Sequence, residues 1–357
     1  MPVFMCVYRV TKSLSLSDSQ TIDPRATEST DSQAGSPPTG NSQAGSPQTL
    51  DDAKRLIERL QRYRSADRGR LVVAFSGGVD SSVVAAAAVR ADPEHAIAMT
   101  AQSPSVPQWQ LDWACRIAGE IGISHRIVRT QEFQRDDYVR NDTRRCFACK
   151  ESLYATIRQQ CMTIVESLSG QTPPDQTLPD KSLPAAAIVS GTNADDLGDY
   201  RPGIEAGQMA GVCTPLADLG FTKRRVRLLA EHFGLSNHDL PASPCLASRV
   251  AYGVQVTPDR LGRIERAESW LRDQGFTDLR VRLHHDELAR VELMIEDLAR
   301  ACEPQFAELM HQTLRDLGFR FVTIDLGGLQ SGSMNRELVT IGMADSPTEN
   351  ATNKDTF

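Results

Sequence analysis

The sequence predicts an α/β protein, a parallel sheet with helices on both faces followed by a smaller C-terminal α+β domain. Three observations carry this. The apolar run Leu71-Val72-Val73-Ala74-Phe75 passes through Ser76-Gly77-Gly78-Val79-Asp80-Ser81-Ser82 into an alanine-rich segment, so a buried strand turns sharply into a helix. Up to about residue 190, short apolar runs then alternate with helical patterns, as βαβ units require. From about Thr257 a helical stripe is followed by two alternating runs, which read as a hairpin.

Taken in order, residues 1–48 are rich in Ser, Thr, Gln, Pro and Gly, and Ser-Gln-Ala-Gly-Ser-Pro occurs twice, at 32–37 and 42–47. Such a segment has little to bury and is expected to be a disordered tail. Leu50-Asp51-Asp52 reads as an N-cap signal for the first helix, with Leu56, Leu60 and Tyr63 on one face. Strands are expected at 71–75, 95–101, 124–128 and 185–190, and helices after the glycine turn and at 109–121 and 152–166. Residues 168–184, rich in Pro and Ser, read as a flexible insertion within a first domain spanning 49–242. In a second domain, 243–345, Leu261, Ile264, Ala267, Trp270 and Leu271 form the stripe. Hairpin strands 279–283 and 290–294, a helix at 304–317 and a strand at 321–326 follow, and 346–357 is a frayed polar tail.

Composition excludes several classes. The chain has 357 residues, enough for two sizeable cores, and its net charge of -7 leaves no general basic footprint for nucleic acid. No apolar run approaches the roughly 18–20 residues of a membrane span, and the N-terminus lacks a signal-peptide pattern, so a cytoplasmic protein is expected. Eight cysteines are too sparse for a disulfide scaffold.

The glycine turn exposes backbone N–H groups at a helix N-terminus, where the dipole favours anions; small hydroxyls allow close approach, so the loop suits phosphate. It lacks the Gly-Lys-Ser/Thr of a Walker loop and the G-x-G-x-x-G of a dinucleotide fold. Ligands of parallel sheets bind beyond the carboxyl ends of the strands. That places the loop with Thr100 and Ser103, the Cys146 region, and Gly191-Thr192-Asn193-Ala194-Asp195-Asp196 near the phosphate loop. Thr192 and Asn193 can contact nucleotide, and Asp195 or Asp196 can hold Mg²⁺.

Cys146-Phe147-Ala148-Cys149 is the close cysteine pair, open to redox, half-zinc and buried-thiol readings. Arg144, Arg145 and Lys150 beside it favour thiolate. Cys245, in polar company with Arg249 near, suits a nucleophile; Cys6, Cys115, Cys161, Cys213 and Cys302 read as small buried hydrophobes. Arg280 and Arg282 alternate with Val281 and share one strand face, suited to anionic groups. Glu268, Glu292 and His284 form a further candidate metal set.

Ser-Gly-Gly-Val-Asp-Ser resembles the pyrophosphate loop of the N-type ATP pyrophosphatases (the PP-loop, HUP-like fold). Together with 145–150, 191–203, Pro215-Leu216, the basic run 223–227, Cys245-Leu246-Ala247-Ser248-Arg249 and Arg280-Val281-Arg282, it resembles the LarE-type ATP-dependent sulfur transferases over residues 50–345. The resemblance implies a pyridinium-3,5-dicarboxylate mononucleotide substrate. Its carboxylate would be adenylated by ATP with Mg²⁺, pyrophosphate released, and sulfur delivered at the Cys245 position, for the nickel-pincer cofactor of lactate racemase. It implies ATP contacts at Ser76, Gly77, Gly78, Val79, Asp80, Ser81, Thr100, Ser103, Thr192, Asn193 and Asp195, with Mg²⁺ at Asp80 and Asp195. Substrate contacts fall at Arg201, Arg249, Arg280 and Arg282. One form of the family sacrifices a single cysteine to dehydroalanine; another holds a [4Fe–4S] cluster on three cysteines, and Cys146, Cys149 and Cys245 resemble that form. A sulfide or other sulfur donor and a homohexamer are implied too. Competing readings are a PP-loop tRNA thiolase, an ammonia-using synthetase like NAD synthetase, and a nucleotide-binding or iron–sulfur regulator.

Overall fold

Alternation along β1 (Arg70–Ala74) sends Leu71 and Val73 into one core and Val72 into another, so both faces of its sheet are covered. The computed structural model describes residues 43–64, 69–169, 186–198, 202–241 and 245–330. Beside β1 lie β2 (Ile97–Gln102), β3 (Ser124–Arg129) and β4 (Ala186–Val189), all parallel, in the order β3-β2-β1-β4.

The helices α1 (Pro47–Tyr63), α2 (Val79–Ala91) and α3 (Gln108–Ile121) supply the first core. Ala85, Ala86, Ala87 and Ala88 of α2 are fully buried, and such small side chains let α2 lie close to its neighbours. Leu56 and Leu60 of α1 are fully buried too; truncating either to Ala costs about 2–5 kcal/mol. The short α4 (Asp136–Val139) leads to the long α5 (Arg145–Ser169), whose Leu153, Tyr154 and Ile157 close the opposite face of the sheet. After β4 come α6 (Pro202–Met209), which packs on α5, then α7 (Pro215–Asp218) and α8 (Lys223–His232).

Two elements start earlier than their sequence signals. The first helix begins at Pro47, not near 50–52, because Ser46 accepts the Thr49 N–H (3.2 Å) and proline suits the first helical position. Asp52 is instead buried within α1, ion-paired with Arg225 (3.3 Å). Residues 43–48 of the expected tail thus form a 3-10 turn and the start of α1; residues 1–42 lie outside the described residues. Likewise α5 begins at Arg145 rather than 152, since Asp142 accepts the Arg144 N–H (2.8 Å) ahead of it. Cys146 and Cys149 therefore sit in the first two turns of a helix, not in a loop. Of the expected insertion, 170–184 lie outside the described residues, as do 346–357.

The C-terminal part has its own sheet. After α9 (Pro258–Asp273), strands β5 (Leu279–His284) and β6 (Leu288–Leu293) pair antiparallel, with Leu279 opposite Leu293. Asp286 and Glu287 turn the hairpin in left-handed backbone (φ 57° and 55°). Then α10 (Leu298–Ala301) and α11 (Pro304–Asp316) lead to β7 (Phe321–Ile324), which joins β6 in parallel. The stripe Leu261, Ile264, Ala267 and Leu271 is buried against this sheet; Trp270 is only partly covered and stacks on Phe306. The same core takes Tyr138 and Ala148 from the first half of the chain. No described helix is long and apolar enough to cross a membrane.

Candidate active site

The turn after β1 works because Gly77 adopts φ +72° and lies against α3, where a Cβ would stand 2.8 Å from the Ala114 Cα. Gly78 caps α2 and its carbonyl accepts the hydroxyls of Ser81 (3.0 Å) and Ser82 (2.8 Å). Ser76 Oγ lies 3.1 Å from Ser81 Oγ and accepts the Gly78 N–H (3.4 Å). From behind, buried Asn237 donates to the Gly77 carbonyl (2.8 Å) and to Ser82 Oγ (2.9 Å). The loop is thus held from three sides with its N–H groups at a helix N-terminus.

It opens into a cavity of about 270 Å³ lined by Ser76, Gly77, Gly78, Val79 and Asp80 on one side, and by Trp109, Trp113, Lys223 and Arg227 on others. Indole faces suit a nucleobase; lysine and arginine suit its phosphates. The paired residues 109/113 and 223/227 are one helical turn apart, so each pair shares a face. That spacing is readable from the sequence, but nothing in it tells that the four residues line one cavity, and Asn237 carries no sequence signal at all.

Gly191, after β4, presses against the start of α2, where a Cβ would meet the Ser81 nitrogen at 2.7 Å. This brings Asn193 to donate to Asp80 Oδ1 (3.1 Å). Burial raises the Asp80 carboxyl above the ordinary range and nearby Asp196 adds to this, while the Asn193 bond and Lys223 oppose it. The other acidic residues of this loop are engaged: Asp195 accepts the Lys223 N–H (2.8 Å) at the start of α8, and Asp196 pairs with Lys223 Nζ (3.4 Å). Thr192 lies 3.1 Å from Ser190 Oγ, buried Thr100 bonds His125 (2.8 Å), and Ser103 accepts the Ser105 N–H (3.2 Å). Ser81, Thr100, Ser103, Thr192, Asn193 and Asp195 do not belong to the lining of this cavity.

The thiols form a second region. Asn141 donates to the carbonyls of Val250 (3.3 Å), Ala251 (2.7 Å) and Val254 (2.9 Å). Buried Arg145 bonds Asn141 and the Ala247 carbonyl (2.8 Å), and its Nη2 lies 3.9 Å from Cys146 Sγ. These bonds clamp the start of α5 to the 3-10 turn Leu246–Arg249, which Cys245 precedes. Cys149 and Cys245 pack against the same apolar core. Burial pushes the Cys149 thiol up to about 12, Cys245 and Cys146 adding to the effect and Lys150 opposing it. The expectation that flanking basic groups favour thiolate therefore fails at Cys149, where burial wins. Cys146 is exposed and Cys245 half-buried; Cys302, expected inside, is exposed.

Between the cysteine turn and α9, Arg249 pairs with Glu268 (3.0 Å), and in the small sheet Arg282 pairs with Glu292 (3.0 Å), all four buried. Glu268 also holds Arg272 (3.0 Å), and Glu292 holds Arg290 (3.1 Å). The suggested Glu268–Glu292–His284 metal set is thereby overturned, because guanidinium groups occupy both carboxylates. Arg280 is half-buried and reaches the Gln330 carbonyl at 3.5 Å; burial, Arg282 and Arg249 all lower its pKa. Arg201 lies outside the described residues.

Residues 53–154, which carry the phosphate loop, match the asparagine synthase family. An uncharacterized protein of Synechocystis is 36% identical over 79% of this chain and 97% of its own length. The pyridinium-3,5-bisthiocarboxylic acid mononucleotide synthase of Lactiplantibacillus plantarum is 33% identical over 78% of this chain and 93% of its own. With a PP-loop at the head of α2, a cysteine-bearing turn clamped to α5 and similarity along most of its length, the chain belongs to the LarE-type family of pyridinium-3,5-bisthiocarboxylic acid mononucleotide synthases.

Proposed function

We propose that the protein is an ATP-dependent sulfurtransferase that converts a carboxylate of a pyridinium-3,5-dicarboxylate mononucleotide to a thiocarboxylate for the nickel-pincer cofactor. The observation that carries this is the connection between β2 and α3. Its Ser105 carbonyl accepts the Leu246 N–H (2.9 Å) beside Cys245, and its far end leads into the helix that bears Trp109 and Trp113. One short segment thus joins the nucleotide cavity to the cysteine turn.

In the first step a substrate carboxylate oxygen attacks the α-phosphorus of ATP, and pyrophosphate leaves. The N–H groups of Gly77 and Gly78, with Lys223 and Arg227, bind the phosphates; Asp80 is the carboxylate best placed for Mg²⁺, which when bound neutralises pyrophosphate. In the second step a sulfur nucleophile attacks the acyl carbon and AMP leaves. Arg280 supplies positive charge for the substrate's anionic groups.

Among the described residues no three Cys, His, Asp or Glu side chains form a cage for one metal ion. Cysteines that each ligate a different iron do not have to meet at one ion, and three thiols of one region match the donor set of a [4Fe–4S] cluster. Cys146, Cys149 and Cys245 would hold it, leaving one iron to carry sulfide. Free thiols and such a cluster suit a reducing cytoplasm. Resemblance to the family supports a homohexamer.

The experiment is anaerobic purification, iron and sulfide counting, then incubation with ATP and the dicarboxylate mononucleotide. Pyrophosphate release and a thiocarboxylate product seen by mass spectrometry are expected. Each single Cys→Ala change at 146, 149 or 245 removes most of the iron and stops sulfur transfer while adenylation persists. If reconstituted protein binds no iron and only Cys245→Ala stops transfer, Cys245 is a sacrificial donor. Light scattering of the purified protein tests the hexamer.

A further inference from the structure

Cys245 enters its turn with a heavily bonded backbone. Its carbonyl accepts the Ser248 N–H (3.0 Å), the Ser248 hydroxyl (2.8 Å) and Arg249 Nη1 (3.1 Å). Three residues along, the Ser248 carbonyl accepts Arg282 Nη1 (2.9 Å). Arg249 is the last residue of the turn itself and Arg282 reaches it from β5; both are almost wholly buried, at 4% and 3% exposure. Each is fixed by a carboxylate buried as deeply. Arg249 Nε donates to Glu268 Oε1 (3.0 Å), while Arg282 donates to Glu292 Oε2 through Nε (3.1 Å) and Nη2 (3.0 Å). Glu268 is itself anchored to β5 by the Val281 N–H (3.2 Å).

We propose that Arg249–Glu268 and Arg282–Glu292 are positioning pairs: they set the backbone of the Cys245 turn, and with it the location of the sulfur, instead of binding substrate. A buried ion pair is a poor stability device, since apolar residues of similar volume often stabilise as much or more. Two such pairs at one turn are better explained by geometry. A guanidinium is a rigid planar fork, so a carboxylate on one edge fixes the direction in which the remaining N–H groups point. Here both forks point at carbonyls of the Cys245 turn. Buried at this depth and bonded to Glu268 and Glu292, the two guanidinium groups present little surface to a substrate phosphate or carboxylate, whereas Arg280, on the strand of Arg282, is half-buried and reaches the Gln330 carbonyl at 3.5 Å. The proposal rests on the sulfur-transfer reading above and assigns the two arginines a role within it.

The test compares wild type, Arg282→Lys, Arg249→Lys and the double variant Arg282→Met with Glu292→Leu. Lysine keeps the charge but cannot bond carboxylate and carbonyl in one fixed plane; the apolar pair leaves no unpaired buried charge and so protects folding. Pyrophosphate release and the single-turnover rate of thiocarboxylate formation are measured across substrate concentrations. Expected are adenylation within about twofold of wild type and a maximal sulfur-transfer rate down by about tenfold to a hundredfold, because misplacing a reacting atom by about 1 Å has that effect. The substrate concentration giving half the maximal rate stays within about threefold, as it would for residues that do not touch the substrate. A rise in that concentration with the maximal rate preserved would overturn the proposal and make the arginines substrate ligands. A parallel fall of adenylation and transfer would overturn it as well, showing a general structural role. Wild-type protein that releases pyrophosphate but makes no thiocarboxylate refutes the function itself, and the positioning role with it.

Discussion

Replacing Gly77 by alanine tests the phosphate loop at its tightest point. Two penalties combine there. The backbone sits at φ +72°, where an L-residue pays roughly 1–2 kcal/mol. The new methyl would also stand 2.8 Å from Ala114 Cα and 3.1 Å from its nitrogen, both backbone atoms of α3, so neither can swing aside. Overpacking of this kind costs about 1–3 kcal/mol. The sum is about 2–5 kcal/mol, shared between lost stability and a displaced loop. Gly122→Ala is the control: its φ is +77°, but nothing lies within 4 Å of the added Cβ, so only the backbone penalty applies. Urea unfolding should separate the two variants by about 1–3 kcal/mol. Gly77→Ala should also slow pyrophosphate release by at least about tenfold, because the loop N–H groups shift off the phosphates. Equal stability of the two variants, with pyrophosphate release intact in Gly77→Ala, would refute the close-approach argument.

Asp80→Asn and Ser76→Ala should each abolish pyrophosphate release under saturating ATP without unfolding the protein; full release by either removes that residue from the site. Asn237→Ala leaves the Gly77 carbonyl and Ser82 hydroxyl without their buried donor. It should cost about 1–3 kcal/mol in unfolding experiments and slow adenylation, and a thermally neutral variant would contradict the bracing role. His125, bonded to Thr100, is lowered by burial from 6.5 to about 4, so the unfolded chain takes up a proton there before the folded one does. Stability from this group is complete above pH 6.5 and is lost as pH falls toward about 4, by at most about 3 kcal/mol; His125→Gln should flatten that part of the stability–pH curve.

Much of the architecture was legible because it rests on local pattern. A buried apolar run, a glycine pair and an alanine-rich helix can be arranged in few ways, and the alternation that follows leads to the parallel order β3-β2-β1-β4. The stripe of α9 and the two alternating runs likewise carry their periods openly. Element starts were less legible. Capping by Ser46 and Asp142 depends on one side-chain bond each, and for the first helix a stronger-looking signal lay downstream at Asp51 and Asp52.

By itself the sequence determined the chemistry on offer: a phosphate loop at a helix N-terminus, a cysteine pair and a third cysteine, and alternating arginines on one strand. Only the tertiary structure decided how those groups are used. It brought Asn237 beneath the loop from 160 residues away, and set Trp113, Lys223 and Arg227 around one cavity. It also matched Arg249 and Arg282 with buried carboxylates while Arg280 stayed half-exposed. The physical reason is that a charge or a thiol takes its properties from what surrounds it. Burial and partners, which raise the Cys149 thiol and hold two of the three arginines, are set by packing between elements far apart in the chain.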